Sequence, residues 1–144
     1  MQVLIPTNPN FNYQECKKLF EDNQHLIEDY EKFDDVIKNT FFYSFLVNGK
    51  HIGCIYYYEI DNKLYVNVVA YRGTHLINLE CFKTSLTWWN CDIYARTHHK
   101  TAIYGILKCG FKRISARTER SEFAPVNNQT EWSIFVYKNT KRSE

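Results

Sequence analysis

The sequence predicts an α+β domain built around a mixed sheet, because two different patterns follow one another along the chain. Residues 41–71 divide into three apolar and aromatic segments separated by two short turn sequences, which is typical of an antiparallel meander. After residue 72, helical and strand patterns alternate, which indicates a strand–helix–strand arrangement. We therefore expect a single domain, residues 1–144, with a mostly antiparallel central sheet of six or seven strands and about four flanking helices.

The N-terminal third is predicted to be mainly helical after one short strand. Apolar residues recur at helical spacing from Cys16 to Phe33, with a break near Asp22, and a further short helix includes Val36 and Ile37. The predicted elements are a strand at 3–5, a helix from 13 that is broken near 22–23, strands at 41–47, 50–60 and 64–71, a helix at 74–90, a strand at 92–96, a helix at 98–108, and strands at 111–118 and 131–138.

Local signals predict the turns and several ends of these elements. Asn48-Gly49 favours a two-residue hairpin, and Asp61-Asn62 marks the next turn of the meander. Thr74 and Thr97 are candidate N-caps of the two helices in the second half, and Gly110 is the expected C-terminal stop of the later one. Alternation along the strand at 50–60 predicts that one of its faces carries Ile52, Cys54, Tyr56 and Tyr58.

Charge and cysteine content argue against several classes of function. The chain has 18 Lys and Arg against 16 Asp and Glu, and this net charge of +2 does not favour a nucleic-acid or membrane partner. No apolar run is long enough to span a membrane, and no signal peptide is recognised at the start. Five cysteines without C-x-x-C spacing predict buried, reduced thiols in a cytoplasmic protein. The five histidines show no H-x-x-x-H spacing, so no metal site is predicted.

Three stretches resemble sequences of the GNAT (N-acetyltransferase-like) family, in the order that the family has. Residues 68–73 (VVAYRG) are similar to the family's lead into its pyrophosphate-binding loop. Residues 93–97 (IYART) resemble its fifth strand, and residues 102–114 are similar to the A-I-x-x-x-x-K-x-G-F-K ending of its fourth helix. The resemblance covers nearly the whole chain and implies the GNAT fold.

The resemblance also implies a cofactor, a substrate class and a site. It points to acetyl-CoA as the cofactor and to an amine as the acyl acceptor. In this family, backbone N–H groups of a central strand bind the acyl carbonyl, and those of a glycine-rich loop at a helix N-terminus bind the pyrophosphate. The matching cofactor-binding positions are Asn67, Val68, Val69, Arg72, Gly73, Thr74, His75 and His99. The catalytic candidates are Glu59 as general base and Tyr104 as the acid that protonates the leaving thiolate.

The chain departs from the family pattern at three functional positions. His75 and Ile77 stand where the family's loop has small residues, and their side chains add bulk where phosphate approaches the backbone. The family's catalytic tyrosine falls at Ile106, which has no proton to donate. We therefore expect weakened or lost catalysis.

Two functions remain open on these observations. One is an acetyl-CoA-dependent N-acetyltransferase with an unusual cofactor loop. The other is a non-catalytic structural or interaction protein on the same scaffold, with a protein partner or a homo-oligomeric assembly. Residues 98–111 also resemble, more weakly, GNAT-like internal virion proteins of phages, which would place the protein in a virion. Free backbone N–H groups converging at the turn at 72–77, with an open cleft beside residues 67–69, would favour the enzyme. A cleft filled by Tyr, Trp or His side chains would favour the second function.

Overall fold

The computed structural model describes residues 1–27, 32–97, 99–119 and 130–139, and in these ranges the chain forms seven strands and four α-helices. None of these helices has the length and apolar character that a membrane span requires. The strands are β1 (Gln2–Leu4), β2 (Phe41–Val47), β3 (Lys50–Ile60), β4 (Lys63–Ala70), β5 (Ile93–Thr97), β6 (Lys112–Glu119) and β7 (Thr130–Tyr137). The helices are α1 (Tyr13–Asp22), α2 (Phe33–Asn39), α3 (His75–Leu86) and α4 (Lys100–Lys108), with a 3₁₀ turn at Gln24–Leu26. The polar loop predicted between the last two strands lies almost wholly outside the described residues.

All seven strands belong to one sheet, in the order β1-β2-β3-β4-β5-β7-β6. Neighbouring strands are antiparallel except β4 and β5, which are parallel. The predicted α+β class, with a mostly antiparallel mixed sheet and four helices, is confirmed.

The two predicted turns of the meander have the backbone conformation that their residues favour. Asn48 and Gly49 have φ of 53° and 77°, and Asp61 and Asn62 have φ of 53° and 65°. Positive φ at both central residues is the type I′ geometry that joins two adjacent strands with little strain. The register of β2, β3 and β4 is therefore set locally.

Helices cover both faces of the sheet and bury a hydrophobic core on each. The α3-side core lies under α3 and α4, and its fully buried members include Phe45, Ile55, Tyr57, Leu86, Ile93 and Phe135. The α1-side core lies under α1 and α2 and is mainly aromatic, with Phe20, Phe33, Phe42, Tyr56, Tyr58 and Tyr65.

The third helix is shorter than predicted. It ends at Leu86 rather than at residue 90, and Trp89 turns back toward the sheet. The ring of Trp89 packs against the ring of Tyr57 with 4.8 Å between centroids. The backbone carbonyl of Trp89 accepts a hydrogen bond from the side-chain amide of Asn139. These tertiary contacts override the helical spacing of the sequence.

The fourth helix begins later than predicted, at Lys100. Thr97 is the last residue of β5 rather than a helix cap, and its hydroxyl accepts a hydrogen bond from the His99 N–H at 3.1 Å. The C-terminal end agrees with the prediction, because Gly110 adopts φ of 99° and donates to the Leu107 carbonyl.

A bulge in β3 changes which side chains share a face. Phe45 of β2 pairs with Gly53, whereas the next residue, Leu46, pairs with His51, so Ile52 is an extra residue. A bulge of this kind shifts the strict alternation of a strand by one position.

The prediction that Ile52 shares a face with Cys54 is therefore wrong. Ile52 is buried in the α3-side core, while Cys54 is buried in the α1-side core. His51 consequently lies on the same side as Cys54, with which it is in contact.

Candidate functional site

A cleft opens where β4 and β5 separate. These strands pair only at Leu64 with Ile93 and at Tyr65 with Tyr94, although both continue beyond this point. The two strands diverge toward their carboxyl ends and leave an opening of about 510 Å³. β4 and β5 form its sides, while α3 and α4 contribute the remaining walls.

The start of α3 is exposed to this cleft through His75. Gly73 has φ of 79°, a conformation that favours glycine, and it turns the chain from β4 into the helix. The Asn78 N–H donates to the Thr74 carbonyl at 2.9 Å, which is the first hydrogen bond of the helix. The three preceding N–H groups therefore have no acceptor within the helix, and with the helix dipole they suit an anion such as pyrophosphate.

Asn78 fixes this helix start to the sheet. Its side-chain Nδ2 donates to the Ile52 and Thr74 carbonyls, each at 3.0 Å. The Asn78 side chain is 5% exposed, and its Oδ1 has no hydrogen-bond partner among the described residues. The amide thus ties the beginning of α3 to the bulge of β3 and sets the position of the N-terminal end of the helix.

The structure brings five of the ten predicted site residues to the cleft. They come from β4, from the starts of α3 and α4, and from the middle of α4, and they are Asn67, Val68, His75, His99 and Tyr104. Tyr104 is 60% exposed, so its hydroxyl is accessible to a ligand. The cleft beside residues 67–68 is open, with two histidines and one tyrosine in its walls.

Four other predicted positions lie near the cleft without lining it. Val69 is 3% exposed and belongs to the α1-side core, because β4 alternates its side chains between the two faces. The Arg72 side chain and Gly73 are exposed. The Thr74 hydroxyl donates to the Tyr71 carbonyl at 2.6 Å and is not an N-terminal side-chain cap. At Val69, Gly73 and Thr74, the backbone groups remain the candidates for cofactor contact.

Glu59, the predicted general base, is not at the cleft. It lines a separate recess of about 430 Å³ together with Phe41, Lys63, Trp89 and Asp92. Its partner across the strands is Leu64, which precedes the point where β4 and β5 diverge. The structure does not bring Glu59 together with the other predicted site residues.

The substituted positions of the family pattern have different environments. Ile77 is 43% exposed and does not line the cleft, so its side chain leaves the helix N-terminus accessible. Ile106 lines the cleft and is 9% exposed, in the place where the resemblance implies a tyrosine. Tyr104 is on the same helix, so the available hydroxyl comes from a different position along α4.

Sequence reasoning missed several polar residues that line the cleft, among them Asn78, Arg96 and Lys100. Asn78 follows the candidate cap Thr74 by one helical turn, a spacing that could have drawn attention to it. Arg96 and Lys100 flank the segment between β5 and α4, and only the divergence of the strands places them at an opening.

The ionisable groups that line the cleft are basic or neutral. Arg96, Lys100, His75, His99 and Tyr104 are the ionisable residues among the described residues that form its walls, and none is a carboxylate. Burial, followed by the positive charge of His25, lowers the pKa of His99 below its usual value of 6.5. The cleft therefore favours a polyanionic ligand and holds an imidazole that is neutral at neutral pH.

No protein-family model and no curated protein matches the chain. Several solved structures do resemble it. An N-acetyltransferase from Staphylococcus aureus Mu50 aligns with a TM-score of 0.73 at 13% identity, over 96% of this chain and 98% of its own. A variant of the spermidine N-acetyltransferase SpeG from Vibrio cholerae gives 0.68 at 14% identity, over 100% of both chains. A Bacillus subtilis acetyltransferase in complex with CoA gives 0.64 at 10% identity, over 95% of this chain and 97% of its own.

These similarities run along nearly the entire length of each chain, and at this level of identity they establish the fold. In this chain, that fold takes the form of a mixed sheet that opens between β4 and β5, with α3 starting at the opening. The chain therefore has the GNAT fold, that of the acetyl-CoA-dependent N-acetyltransferases.

Proposed function

We propose that the protein binds acetyl-CoA in the cleft between β4 and β5 and transfers the acetyl group to an amine. The observation that carries this proposal is the opening itself, a space of about 510 Å³ bordered by the start of α3 and by basic side chains. The Bacillus subtilis acetyltransferase of the same fold is in complex with CoA. The chemistry of the cleft walls in this chain fits the same type of ligand.

Three parts of acetyl-CoA have a complementary group in this cleft. The N–H groups at the start of α3, with Lys100 across the opening, suit the pyrophosphate. The edge of β4 beyond Tyr65 has no strand paired with it on the cleft side among the described residues, so its N–H groups can donate to the thioester carbonyl. Tyr104 supplies an accessible hydroxyl for the leaving thiolate.

The acceptor amine must lose a proton during transfer, and His99 is positioned to remove it. Its imidazole lines the cleft and is neutral at pH 7, because its pKa is lowered by burial and by His25. A general base works only in its deprotonated form, so kcat/KM is expected to fall as pH decreases through the pKa of His99, below 6.5.

We expect His99→Gln to lower kcat/KM about a hundredfold and to remove this acidic limb of the pH profile. The measurement is thiol release from acetyl-CoA between pH 5.5 and 8.5, with spermidine and with a short peptide bearing a free amino terminus. His75→Gln, which alters the other imidazole in the cleft wall, is the control and should keep the limb. A profile unchanged by His99→Gln would exclude this residue as the base.

A second prediction tests the loop that precedes α3. Gly73 and Gly49 have nearly the same positive φ, 79° and 77°, and a Cβ at either position would meet nothing within 4 Å. Each change to alanine should therefore cost about 1 kcal/mol of stability through backbone strain alone. Only Gly73→Ala should also weaken acetyl-CoA binding, by about tenfold, because it distorts the anion-binding end of α3.

Denaturant unfolding gives the stability of the two glycine variants, and isothermal titration calorimetry with acetyl-CoA and CoA gives their affinities. Equal loss of affinity in both variants would show that the effect is a general loss of stability. Absence of detectable binding by the unaltered protein, at concentrations that resolve millimolar affinity, would overturn the proposed function.

A second candidate function is acyl-CoA binding without transfer. Ile106 occupies the position of the expected acid, and no carboxylate lines the described walls of the cleft. Micromolar binding of acetyl-CoA without thiol release, across a panel of polyamines, amino-terminal peptides and lysine peptides, would favour this candidate over the enzyme.

A further inference from the structure

A cluster of two thiols and one imidazole lies on the α1 side of the sheet. Cys16 comes from α1, while His51 and Cys54 come from β3. Their side chains are 1%, 7% and 2% exposed, and none of the three lines the cleft. The bulge at Ile52 is what allows two residues three positions apart on one strand to face the same side.

The three potential ligand atoms have the spacing of a metal site. His51 Nε2 lies 3.8 Å from Cys16 Sγ and 3.5 Å from Cys54 Sγ, and all three atoms lie within 4.8 Å of one another. In a tetrahedral zinc site, Zn–S bonds of about 2.3 Å and Zn–N bonds of about 2.0 Å place sulfur and nitrogen about 3.5 Å apart. A cation could therefore bind all three atoms with little movement of the chain.

The other nitrogen of His51 fixes the orientation of the ring. His51 Nδ1 lies 2.7 Å from the Tyr71 hydroxyl and 3.5 Å from a carboxylate oxygen of Glu15. A carboxylate only accepts hydrogen bonds, so it favours the tautomer with the proton on Nδ1. The lone pair of Nε2 then faces the two sulfur atoms, which is the arrangement that metal-binding histidines adopt.

We propose that Cys16, His51 and Cys54 form a binding site for Zn²⁺ that fastens α1 to the bulge of β3. Two thiolates and one neutral imidazole balance the charge of the cation, so the buried assembly carries no net charge. Binding releases the two thiol protons to solvent. The fourth position is left for water or for the Ser44 hydroxyl, whose residue is 3% exposed.

The burial of these thiols distinguishes the cluster from the site of a catalytic cysteine. Hydrogen bonds from Cys54, and then from His51 and Ser44, act to lower the pKa of Cys16. A nucleophilic thiol must nevertheless reach its substrate, and the Cys16 side chain is 1% exposed beneath α1. A thiophilic cation needs only the three ligand atoms and a path for one small ion.

The test is a titration of the full chain with Co²⁺, after treatment with a chelator and in the presence of a phosphine reductant. We expect one Co²⁺ per chain, with a thiolate-to-cobalt charge-transfer band and the intense visible bands of a tetrahedral site. Addition of Zn²⁺ should bleach these bands. A fully reduced, folded protein that shows no charge-transfer band would overturn the proposal, and so would a Cys16–Cys54 disulfide whose reduction yields no metal binding.

Matched variants locate the site. Cys54→Ser and His51→Gln should lose the charge-transfer band, whereas Cys91→Ser, at the exposed cysteine, and His25→Gln should keep it. Tyr71→Phe removes the nearer of the two partners of His51 Nδ1 and should weaken Zn²⁺ affinity about tenfold. Bands that persist in Cys54→Ser would refute the assignment, and circular dichroism confirms that each variant is folded.

Discussion

Replacement of Gly53 by alanine is expected to lower the free energy of unfolding by about 3 kcal/mol, a large change for one methyl group. A Cβ at Gly53 would overlap Asn78 Oδ1 and would lie 2.9 Å from the Val69 carbonyl oxygen. Neither neighbour can move freely, because the Asn78 amide is held by the Ile52 and Thr74 carbonyls and the Val69 carbonyl belongs to β4. Urea unfolding followed by circular dichroism measures the change.

Gly105→Ala is the matched control for Gly53→Ala, and it should have the opposite sign. Gly105 lies inside α4, where a Cβ would meet Leu79 Cδ2 at an ordinary contact distance of 3.5 Å. Alanine is favoured over glycine in a helix by about 1 kcal/mol, so this variant should be more stable than the unaltered protein. A Gly53→Ala protein as stable as the parent would show that the sheet and Asn78 do not approach as closely as described.

A large side chain in the cleft is expected to abolish acetyl-CoA binding. Ala102 lines the cleft from the first turn of α4 and is exposed, so Ala102→Trp fills the opening without disturbing either core. Competition between the indole and the cofactor should reduce affinity at least a hundredfold, about 2.7 kcal/mol of binding free energy. Isothermal titration calorimetry with acetyl-CoA measures this change in affinity directly.

Leu107→Trp provides the control for the cleft variant. Leu107 is on the same helix, is 49% exposed and does not line the cleft. Both variants add one tryptophan to an exposed position of α4, so a shared cost in stability cancels in the comparison. Equal affinities in the two variants would place the acetyl-CoA site somewhere other than this cleft.

Local sequence signals were sufficient for the meander. Asn48-Gly49 and Asp61-Asn62 tolerate positive φ, and that property indicates where β2 ends, where β3 begins and ends, and where β4 begins. Gly110 marked the end of α4 for the same reason. Such signals depend on one or two residues, so they can be recognised without knowing the rest of the fold.

Features that depend on distant contacts were not predictable in this way. The end of α3 depends on the packing of Trp89 against Tyr57, and the face of Ile52 depends on a bulge relative to β2. The cleft arises from the divergence of two strands that are separated in the chain by α3. The family resemblance pointed to His75, His99 and Tyr104, which line the cleft, and to Glu59, which lines a separate recess, and it gave no signal for Lys100.

The proposed metal site likewise has no signal in the sequence. Metal ligands are recognised in a sequence when they are close together, as in C-x-x-C or H-x-x-x-H. Here Cys16 is on a helix far from His51 and Cys54, and the latter two share a face only because of the bulge. Spacing within a sequence carries no information about such an arrangement.

The short pairing of β4 with β5 also has a consequence for how the chain folds. β2, β3 and β4 are joined by two-residue turns, so little entropy is lost when they associate, and they are expected to form early. β5 reaches β4 only after the chain has passed through α3, and it is held there by two register pairs. Local opening should therefore begin where β4 pairs with β5. A ligand that contacts both strands would slow hydrogen exchange of the Ile93 and Tyr94 amides by mass action.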